Sequence, residues 1–503
     1  MNGPKFFYSF ISGVLFTGFL LLASISISET ESLEDLYFNA QFSQIAARLE
    51  NKKKLLSLEE RLLLVECQAR ISQGRSAETE VRSLHEEFPE SPEVLAAVGI
   101  VAFSRGRFEM ARLFTEKALE IDPDEPKAIL TKAFLALYFQ DFSAAQNQYE
   151  ELKKNPLWSE SYFLYLAGLE LYKASGQPEK LRSLYDKHAR EQRRSNRDIY
   201  DNAKMNAKMY GRITGEGLFR VSGPGKIVIP WQQDPSHEEN IVFPLNIEGT
   251  EFQLVLDTGN AVGWMVHSRD FFNLLNSHTG GRALTQIGLV SGMLYGLNLY
   301  NDRIPFGSSQ ILRLSGMYVP KPHPSFYDAN LNPIFLRNRV VTLDYIENLL
   351  VLRSKERFEE ELEAARTDNP GHFVHMPFYG YERPLVPLIA EDKYSILGLF
   401  ETGAEDITIR QDLALEWGLP LSPSVRYLAS GQVFRYAKTP LRIKAGEFQW
   451  IRKEADVWPL DRFYDRLTGL SPDIVIGPKA FKERYVLSFN PFKKEVILSD
   501  LSY

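Results

Sequence analysis

The order of apolar and polar residues divides the chain into three parts. Residues 6–28 form a run without a charged side chain. Residues 33–210 contain few prolines and many Leu, Ala and Glu, as helices do. After Lys208, Gly and Pro separate short runs of β-branched and aromatic residues, which is typical of strands joined by turns. The pattern predicts an N-terminal transmembrane or signal helix within 1–30, then an all-α region, then an all-β region.

The uncharged run 6–28 is long enough to cross a bilayer. As a helix it would rise about 34 Å, against a hydrocarbon core of about 30 Å. Lys5 precedes the run and Glu29 follows it, so the positive-inside rule places the bulk of the chain outside the cytoplasm, in a periplasm-like space. The alternative is a cleaved signal peptide and a secreted protein, because Ser26 and Ser28 are small residues at the positions that signal peptidase reads. The length of the run favours an uncleaved anchor.

Composition and charge narrow the range of functions. A chain of 503 residues is expected to form several domains, and 44% apolar with 24% charged residues excludes a disordered or collagen-like protein. The net charge of -7 provides no positive field for nucleic acid. The single Cys67 cannot form an intrachain disulfide or a four-cysteine zinc site. His372 and His375 would point to opposite faces of a strand, so no metal or cofactor is expected.

The helical part repeats itself with a period of 34 residues. The pairs at this offset are Ala77 and Ala111, Ala111 and Ala145, Phe108 and Phe142, Leu84 and Ala118, Ala118 and Leu152, and Pro89 and Pro123. A small residue at a helix crossing and a proline that closes the second helix describe a helix-turn-helix unit that buries its face by stacking on copies of itself. This region, best matched over 56–156, resembles a tetratricopeptide repeat. The resemblance implies a surface that binds peptides or proteins, and a simple spacer is the alternative.

The β-rich part contains one long internal duplication. Blocks of similar sequence recur in the same order at offsets between 139 and 146 residues: 243–245 with 386–388, 256–261 with 400–405, 291–295 with 430–434, 331–332 with 476–477, and 343–345 with 489–491. Such spacing is too long for a solenoid. It predicts two tandem lobes, 228–354 and 371–503, joined by a helical linker over 355–370.

Each lobe places a carboxylic acid on a tight turn. Asp257-Thr258-Gly259 lies between two apolar runs, 252–256 and 263–266, so the carboxylate sits on a turn between buried strands. Such a turn needs Gly259 because the backbone approaches its neighbours closely. The matching block of the second lobe is Glu401-Thr402-Gly403.

These turns, together with the apolar strand Ile474-Val475-Ile476-Gly477, carry a second resemblance. The region 240–498 resembles a retropepsin-like or pepsin-like aspartic peptidase with both lobes on one chain. The resemblance implies a bilobal all-β fold in which Asp257 and Glu401 face each other in one cleft, share a proton and activate a water. It assigns the supporting turns to Thr258, Gly259, Thr402 and Gly403, and a possible flap to Tyr295 and Phe434, aromatic residues that core packing explains equally well.

Two residues depart from that family's pattern. Glu401 stands where the second Asp belongs, and Asn332 stands where the first lobe's supporting Gly belongs. Glu401 keeps the carboxyl group but adds a methylene of about 1.5 Å, and a misplacement of about 1 Å can lower a rate about a hundredfold. A shift of the backbone can absorb the difference.

The sequence therefore predicts a membrane-anchored aspartic-type endopeptidase that acts on proteins or peptides, with helical repeats that bind protein. The alternative is an inactive peptidase fold that serves as a repeat-based peptide-binding scaffold. Retention of a carboxyl group at position 401 favours the enzyme, because random drift would more often leave a neutral residue there.

Overall fold

The computed structural model describes residues 31–503, apart from 53–54, 72, 193–196, 212–219, 235–236, 259–263, 278, 290–291, 307–308, 319–326, 381–382, 428–432, 459–466 and 483. The predicted membrane segment 6–28 therefore lies outside the described residues. Within the described ranges, no helix has both the length and the apolar character needed to cross a bilayer.

The N-terminal part is helical. Its helices are α1 (Leu33–Phe38), α2 (Phe42–Glu50), α3 (Leu58–Arg70), α4 (Gly74–Glu87), α5 (Pro92–Ser104), α6 (Phe108–Ile121), α7 (Pro126–Tyr138), α8 (Phe142–Leu152), α9 (Pro156–Ser159), α10 (Tyr162–Ala174), α11 (Pro178–Gln192) and α12 (Arg197–Tyr210). Local sequence fixes where they start. Ser57 forms a capping box with Glu60 at the start of α3, and α5 and α7 each begin with a proline.

The helix boundaries confirm a TPR-like helical repeat with the period seen in the sequence. Helices α3, α5 and α7 begin at residues 58, 92 and 126, and α4, α6 and α8 begin at 74, 108 and 142. Both series advance by 34 residues. The alanines at the repeated position, Ala77, Ala111 and Ala145, are buried, because only a small side chain lets adjacent helices approach closely there.

The remainder of the chain is rich in β-strands. They are β1 (Arg220–Ser222), β2 (Lys226–Pro230), β3 (Gln232–Asp234), β4 (His237–Ile247), β5 (Thr250–Leu256), β6 (Trp264–Val266), β7 (Thr279–Leu289), β8 (Gly292–Phe306), β9 (Ser309–Tyr318), β10 (Ala329–Leu331), β11 (Val340–Asp344), β12 (Leu349–Arg353), β13 (Phe373–Pro377), β14 (Leu385–Ala390), β15 (Tyr394–Phe400), β16 (Ile407–Arg410), β17 (Ser422–Tyr427), β18 (Val433–Ala445), β19 (Phe448–Trp458), β20 (Ile474–Ile476), β21 (Val486–Asn490) and β22 (Glu495–Ser499). Helices α13 (Arg269–Ser277), α14 (Lys355–Asp368) and α15 (Gln411–Glu416) interrupt them, and α14 lies within the predicted linker.

The strands pair in a duplicated arrangement. One sheet, here the first lobe, has the order β3-β4-β5-β10-β6-β9-β8-β7, with β1 beside β9; another, the second lobe, has the order β14-β15-β20-β16-β19-β18-β17. In the first lobe β10 lies parallel to β5 and antiparallel to β6. In the second lobe β20 lies parallel to β15 and antiparallel to β16. The duplicated sequence thus folds into duplicated strand pairings.

A further sheet, β13-β22-β21-β11-β12-β2, combines strands from both halves of the duplication. Its central strands β11 and β21 are antiparallel, with Thr342 opposite Ser488. Their hydroxyl oxygens are 2.7 Å apart. The two residues are 146 positions apart, one of the offsets of the duplicated blocks, so a local twofold axis passes between them.

Aromatic rings fill the core behind the ends of the central strands. In the first lobe Trp264 packs edge-on against Phe271 with ring centroids 5.5 Å apart. In the second lobe Phe400 packs in the same way against Phe481 at 5.2 Å. All four side chains are buried, and large rings at such distances contribute strongly to core stability. Each lobe therefore has an aromatic pair in its core.

Packing divides the chain into two compact units. The β unit consists of the described residues within 176–458 together with Asp473–Tyr503, and the helical unit consists of the described helices up to Ser175 together with the described residues 467–472. This division differs from the predicted domains in two places. Helices α11 and α12 belong to the β unit, and a short segment within the second lobe's sequence belongs to the helical unit.

The buried alanine at the repeat crossing provides a test of the packing. We expect Ala111→Leu to lower the free energy of unfolding by about 1–3 kcal/mol, because the larger side chain overpacks a full site. Met110→Leu, at the neighbouring exposed position, is the control and should change it by less than about 0.5 kcal/mol. Urea unfolding followed by helical circular dichroism measures both. Equal midpoints for the two variants would contradict tight packing at this crossing.

Candidate active site

The first predicted acid lies at the carboxyl end of β5. The backbone N–H of Asp257 donates to the carbonyl oxygen of Leu331 on β10 at 2.9 Å. Asp257 and Thr258 have no exposed surface. The parallel neighbour β10 therefore fixes the start of the turn, and the carboxyl group of Asp257 lies within the protein.

The second predicted acid occupies the equivalent place at the end of β15. The N–H of Glu401 donates to the carbonyl of Ile476 on β20 at 3.0 Å. Glu401 and Thr402 are also buried. The backbone of the second turn is thus held like that of the first, although its acid is one methylene longer.

The two turns are joined by reciprocal hydrogen bonds of their threonines. The N–H of Thr258 donates to Oγ1 of Thr402 at 3.0 Å, and the N–H of Thr402 donates to Oγ1 of Thr258 at 2.9 Å. Each hydroxyl in turn donates across to the other lobe, Thr258 to the carbonyl of Phe400 at 2.7 Å and Thr402 to the carbonyl of Leu256 at 2.8 Å. This buried network joins the two turns, and Asp257 lies close enough to Glu401 for its charge to act on that carboxyl group.

A second pair of acids, which sequence analysis missed, supports the strands behind the turns. Asp328 accepts from the N–H of Gln253 at 2.8 Å, and its own N–H donates to that residue's carbonyl at 2.7 Å. Asp473 makes the same two bonds with Leu397, at 2.9 and 2.8 Å. Asp328 and Asp473 are 145 positions apart, which is one of the offsets of the duplicated blocks. The sequence could therefore have identified them as an equivalent pair of acids.

The first acid also has a side-chain partner that sequence analysis missed. Nδ2 of Asn330, on β10, donates to Oδ2 of Asp257 at 2.9 Å. Oδ1 of Asn330 lies 3.3 Å from Nε2 of His267. Because an amide oxygen only accepts, this contact places a proton on Nε2 of His267. The matching residue of the second lobe is Val475. The replacement of an apolar residue in one lobe by the polar Asn330 in the other could have indicated from the sequence that Asn330 has a special role.

The departure at Asn332 has a structural role. Its side-chain Nδ2 donates to the carbonyl of Thr258 at 3.2 Å, and its Oδ1 accepts from the N–H of Ile334 at 3.0 Å. In the second lobe, a Cβ at Gly477 would lie 2.7 Å from the carbonyl carbon of Glu405. The second turn therefore requires glycine at this place, whereas the first uses an asparagine that bonds to the turn.

Burial and charge act together on Glu401. Burial disfavours its charged form, and the negative charge of Asp257 disfavours it further. The positive charge of Arg383 acts in the opposite direction but is outweighed. The pKa of Glu401 is raised from the ordinary value of 4.5 to about 8. At neutral pH Glu401 therefore holds a proton and can donate it.

The other predicted site residues divide between described and undescribed parts of the chain. Gly403 follows Thr402 in the second turn and is buried. Gly259 lies outside the described residues. Tyr295 and Phe434 lie on β8 and β18, whose backbones are described, but their side chains lie outside the description. Their predicted flap role stays a prediction.

Metal ligation has no support within the described ranges. No three His, Cys, Asp or Glu side chains converge there as ligands. His372 and His375 instead pair separately, with Asp500 at 2.8 Å and Glu495 at 2.9 Å.

Comparison with known proteins does not assign this chain to a family. No protein-family model matches the chain, and no curated protein is significantly similar. Among solved structures, basic 7S globulin from soybean is similar over 55% of this chain and 97% of its own, with 11% identity and a TM-score of 0.31. A tetratricopeptide repeat protein from Parabacteroides merdae is similar over 34% of this chain and 65% of its own, with 15% identity and a TM-score of 0.25. Scores this low do not establish a shared fold or function.

The threonine network can be tested by removing one hydroxyl. We expect Thr258→Val to lower the free energy of unfolding by about 1–3 kcal/mol, because the N–H of Thr402 and the carbonyl of Phe400 lose a buried partner. Thr258→Ser keeps the hydroxyl and should lose less. Thr402→Val removes the other two bonds of the network. Because either change lets both turns shift and weakens the bonds that remain, the double valine variant should lose less than the sum of the two single variants. Chemical denaturation measures all four, and strict additivity would contradict a shared network.

The proton on Glu401 makes stability depend on pH. Between pH 4.5 and about 8 the unfolded chain ionises this group while the folded protein keeps it protonated. Unfolding therefore releases a proton, so the contribution of Glu401 to stability falls as pH rises through this window. We expect Glu401→Gln to flatten the dependence, whereas Glu447→Gln, on an exposed turn, should follow the wild type. Parallel curves for wild type and Glu401→Gln in urea titrations across the window would contradict a protonated Glu401.

Proposed function

We propose that this chain is an aspartic-type endopeptidase in which Asp257 and Glu401 hydrolyse peptide bonds through a shared proton. The observation that carries the proposal is the reciprocal pairing of Thr258 and Thr402, which brings two buried carboxyl groups together from duplicated turns. A scaffold would have no use for such a pair, since burying two acids side by side destabilises a protein unless they keep a proton between them.

The chemistry follows from the different surroundings of the two acids. Asn330 donates a hydrogen bond to Asp257, which stabilises its charged form. Glu401 is protonated at neutral pH, because burial and the charge of Asp257 raise its pKa. Asp257 is therefore the base and Glu401 the acid, which is the division of roles that two-carboxylate catalysis needs.

The reaction proceeds in two stages. Asp257 takes a proton from a water molecule, whose oxygen attacks the peptide carbonyl carbon while Glu401 gives its proton to the carbonyl oxygen. This forms a tetrahedral diol. The carbon–nitrogen bond then breaks, the nitrogen takes the proton held by Asp257, and a hydroxyl of the diol returns a proton to Glu401. Both acids end in their starting states.

The side chain of Glu401 is one methylene longer than that of Asp257. The backbone of Glu401 is held to Ile476 as that of Asp257 is held to Leu331, so the extra methylene carries its carboxyl group about 1.5 Å further. Because this lengthens the reach of one acid only, we expect the water and the scissile carbonyl to lie off the local twofold axis, nearer Asp257.

The helical repeats and the segment 6–28 have proposed roles that follow from the sequence. The helical repeats bring a protein or peptide substrate or partner to the site, as proteins with repeats of this type commonly bind other proteins. The segment 6–28 anchors the chain in a membrane, with the β unit outside the cytoplasm, or is cleaved from a secreted protein.

The decisive measurement is cleavage of a peptide library by the full-length protein between acidic and mildly alkaline pH, with products identified by mass spectrometry. We expect Asp257→Asn and Glu401→Gln each to lower kcat by at least about a hundredfold. Activity of the wild type should fall as pH rises past about 8, because Glu401 then loses its proton. Asp270→Asn, at an exposed position at the start of α13, is the control and should leave cleavage unchanged.

Glu401→Asp separates the remaining possibilities. Cleavage that persists or increases in this variant would support the shared-proton site. A wild type that is inert at every pH, beside a Glu401→Asp variant that cleaves, would instead show a fold that has lost its activity and serves as a peptide-binding scaffold. Cleavage that survives Asp257→Asn would refute the assignment of the site.

A further inference from the structure

A short piece of the second lobe's sequence packs with the helical repeats. Residues 467–472, here the docked segment, lie in sequence between β19 and β20, yet they belong to the helical unit. Four of its side chains are between 2% and 4% exposed: Leu467, Thr468, Leu470 and Ser471. A loop so completely buried is unusual, because its backbone must find partners away from water.

The closest approach is at Gly469. Its φ of +72° is a left-handed conformation that favours glycine, and a Cβ there would lie 2.0 Å from the carbonyl oxygen of Ala69 and 2.8 Å from Cα of Arg70. Both atoms belong to the backbone at the end of α3, so they cannot move aside as a flexible side chain could. The docked segment therefore passes against this helix at a distance that only glycine permits.

A buried arginine binds the backbone of the docked segment. Nη1 of Arg70 donates to the carbonyl oxygen of Leu467. Nε and Nη2 of Arg70 are held by Oε1 of Glu66, at 3.2 and 2.8 Å. Arg70 and Glu66 are almost completely buried. The guanidinium is thus oriented by the helical unit itself and offers its remaining edge to a peptide carbonyl.

Charged and aromatic neighbours hold this arginine in place. Glu66 also pairs with Lys127 at 2.9 Å and accepts from the hydroxyl of Tyr37. Burial opposes ionisation of Glu66, but the charges of Lys127 and Arg70 outweigh it and lower its pKa to about 2. Arg70 lies over the ring of Phe163, 4.7 Å from its centroid. The buried guanidinium of Arg70 therefore has a carboxylate on one side and the carbonyl dipole of Leu467 on the other, and both stabilise its charge.

We infer that one surface of the helical repeats, at the end of α3, has the docked segment of this same chain as its ligand, and that docking positions the turn that carries Glu401. The surface recognises a peptide backbone, through Arg70, and a glycine against α3, through the backbone of Ala69. Its occupant is therefore a peptide that turns at a glycine, and the chain supplies one itself.

The link to the site is the strand that follows the docked segment. Asp473 comes directly after it and bonds to Leu397 through both backbone and side chain. Strand β20 begins at the next residue and ends at Ile476, whose carbonyl accepts from the N–H of Glu401. Docking thus fixes the chain at the point where this strand begins. This part of the inference rests on the proposed function.

The first test measures docking without using activity. We expect hydrogen exchange of the full-length protein to show slow exchange in 467–472, and Gly469→Ala to accelerate it at least about tenfold, because the new methyl group cannot fit beside Ala69. The control is Gly418→Ala. Gly418 has nearly the same φ, +67°, but a Cβ there would meet no atom within 4 Å, so this variant carries the same backbone strain without the collision.

Amides of α5 and α7 report whether the repeats stay folded. If Gly469→Ala unfolds them, the double variant Leu467→Ser/Leu470→Ser replaces it, since this change removes buried apolar area without a backbone clash. Fast exchange of the docked segment in the wild type, or no change in either variant, would overturn the inference.

The second test measures positioning. We expect Gly469→Ala to lower kcat about tenfold or more and to shift the pH at which activity declines, with Gly418→Ala matching the wild type in both. Undocking that leaves kcat and the pH profile unchanged would refute positioning.

A wild type without peptidase activity would refute the proposed function only. Positioning is then measured from the pKa of Glu401, obtained by comparing pH-dependent stability with and without Glu401→Gln in the Gly469→Ala background. A shifted pKa would support the inference, and an unshifted one would contradict its second half.

Discussion

Buried backbone groups must be hydrogen-bonded, and this constraint accounts for the architecture of the site. Two turns that leave parallel strands meet in the interior, where water cannot satisfy their N–H and carbonyl groups. Thr258 and Thr402 supply the missing partners for each other's turn. Because each threonine bonds to the opposite lobe, neither turn is complete alone. The proximity of Asp257 and Glu401 is a consequence of this exchange, and so is the need for a second lobe.

Duplication explains where the two acids lie, and divergence between the copies explains why they differ. In both lobes the backbone N–H of the acid donates to a carbonyl of the parallel neighbour strand, β10 in the first lobe and β20 in the second. At the position where the second copy has Val475, the first has Asn330, which donates to Asp257. Burial raises the pKa of Glu401, and the negative charge of Asp257 raises it further. A symmetric pair would share its proton equally, whereas the surroundings of this pair favour a proton on Glu401.

The helical unit shows a different use of buried charge. Removing Arg70 and Glu66 from water is unfavourable unless each finds a partner, and Lys127, which is partly exposed, pairs with Glu66. Glu66 pairs with both Arg70 and Lys127, and the carbonyl of Leu467 accepts a further hydrogen bond from Arg70. The same arrangement makes the segment around Gly469 part of the repeat unit, although its sequence lies between two strands.

The sequence alone determined the features that are written as local patterns. The 34-residue period, the long duplication and the acid-Thr-Gly turns could be recognised because neighbouring residues or fixed offsets carry them, and the helix and strand pairings follow those offsets. Only the tertiary structure decided the contacts that no pattern encodes. Asn330 meets Asp257 across 73 positions and Arg70 meets Leu467 across 397. The burial that raises the pKa of Glu401 likewise depends on segments of the chain that only folding brings together. The interactions of a side chain are set by its neighbours in three dimensions and not by its neighbours in the sequence.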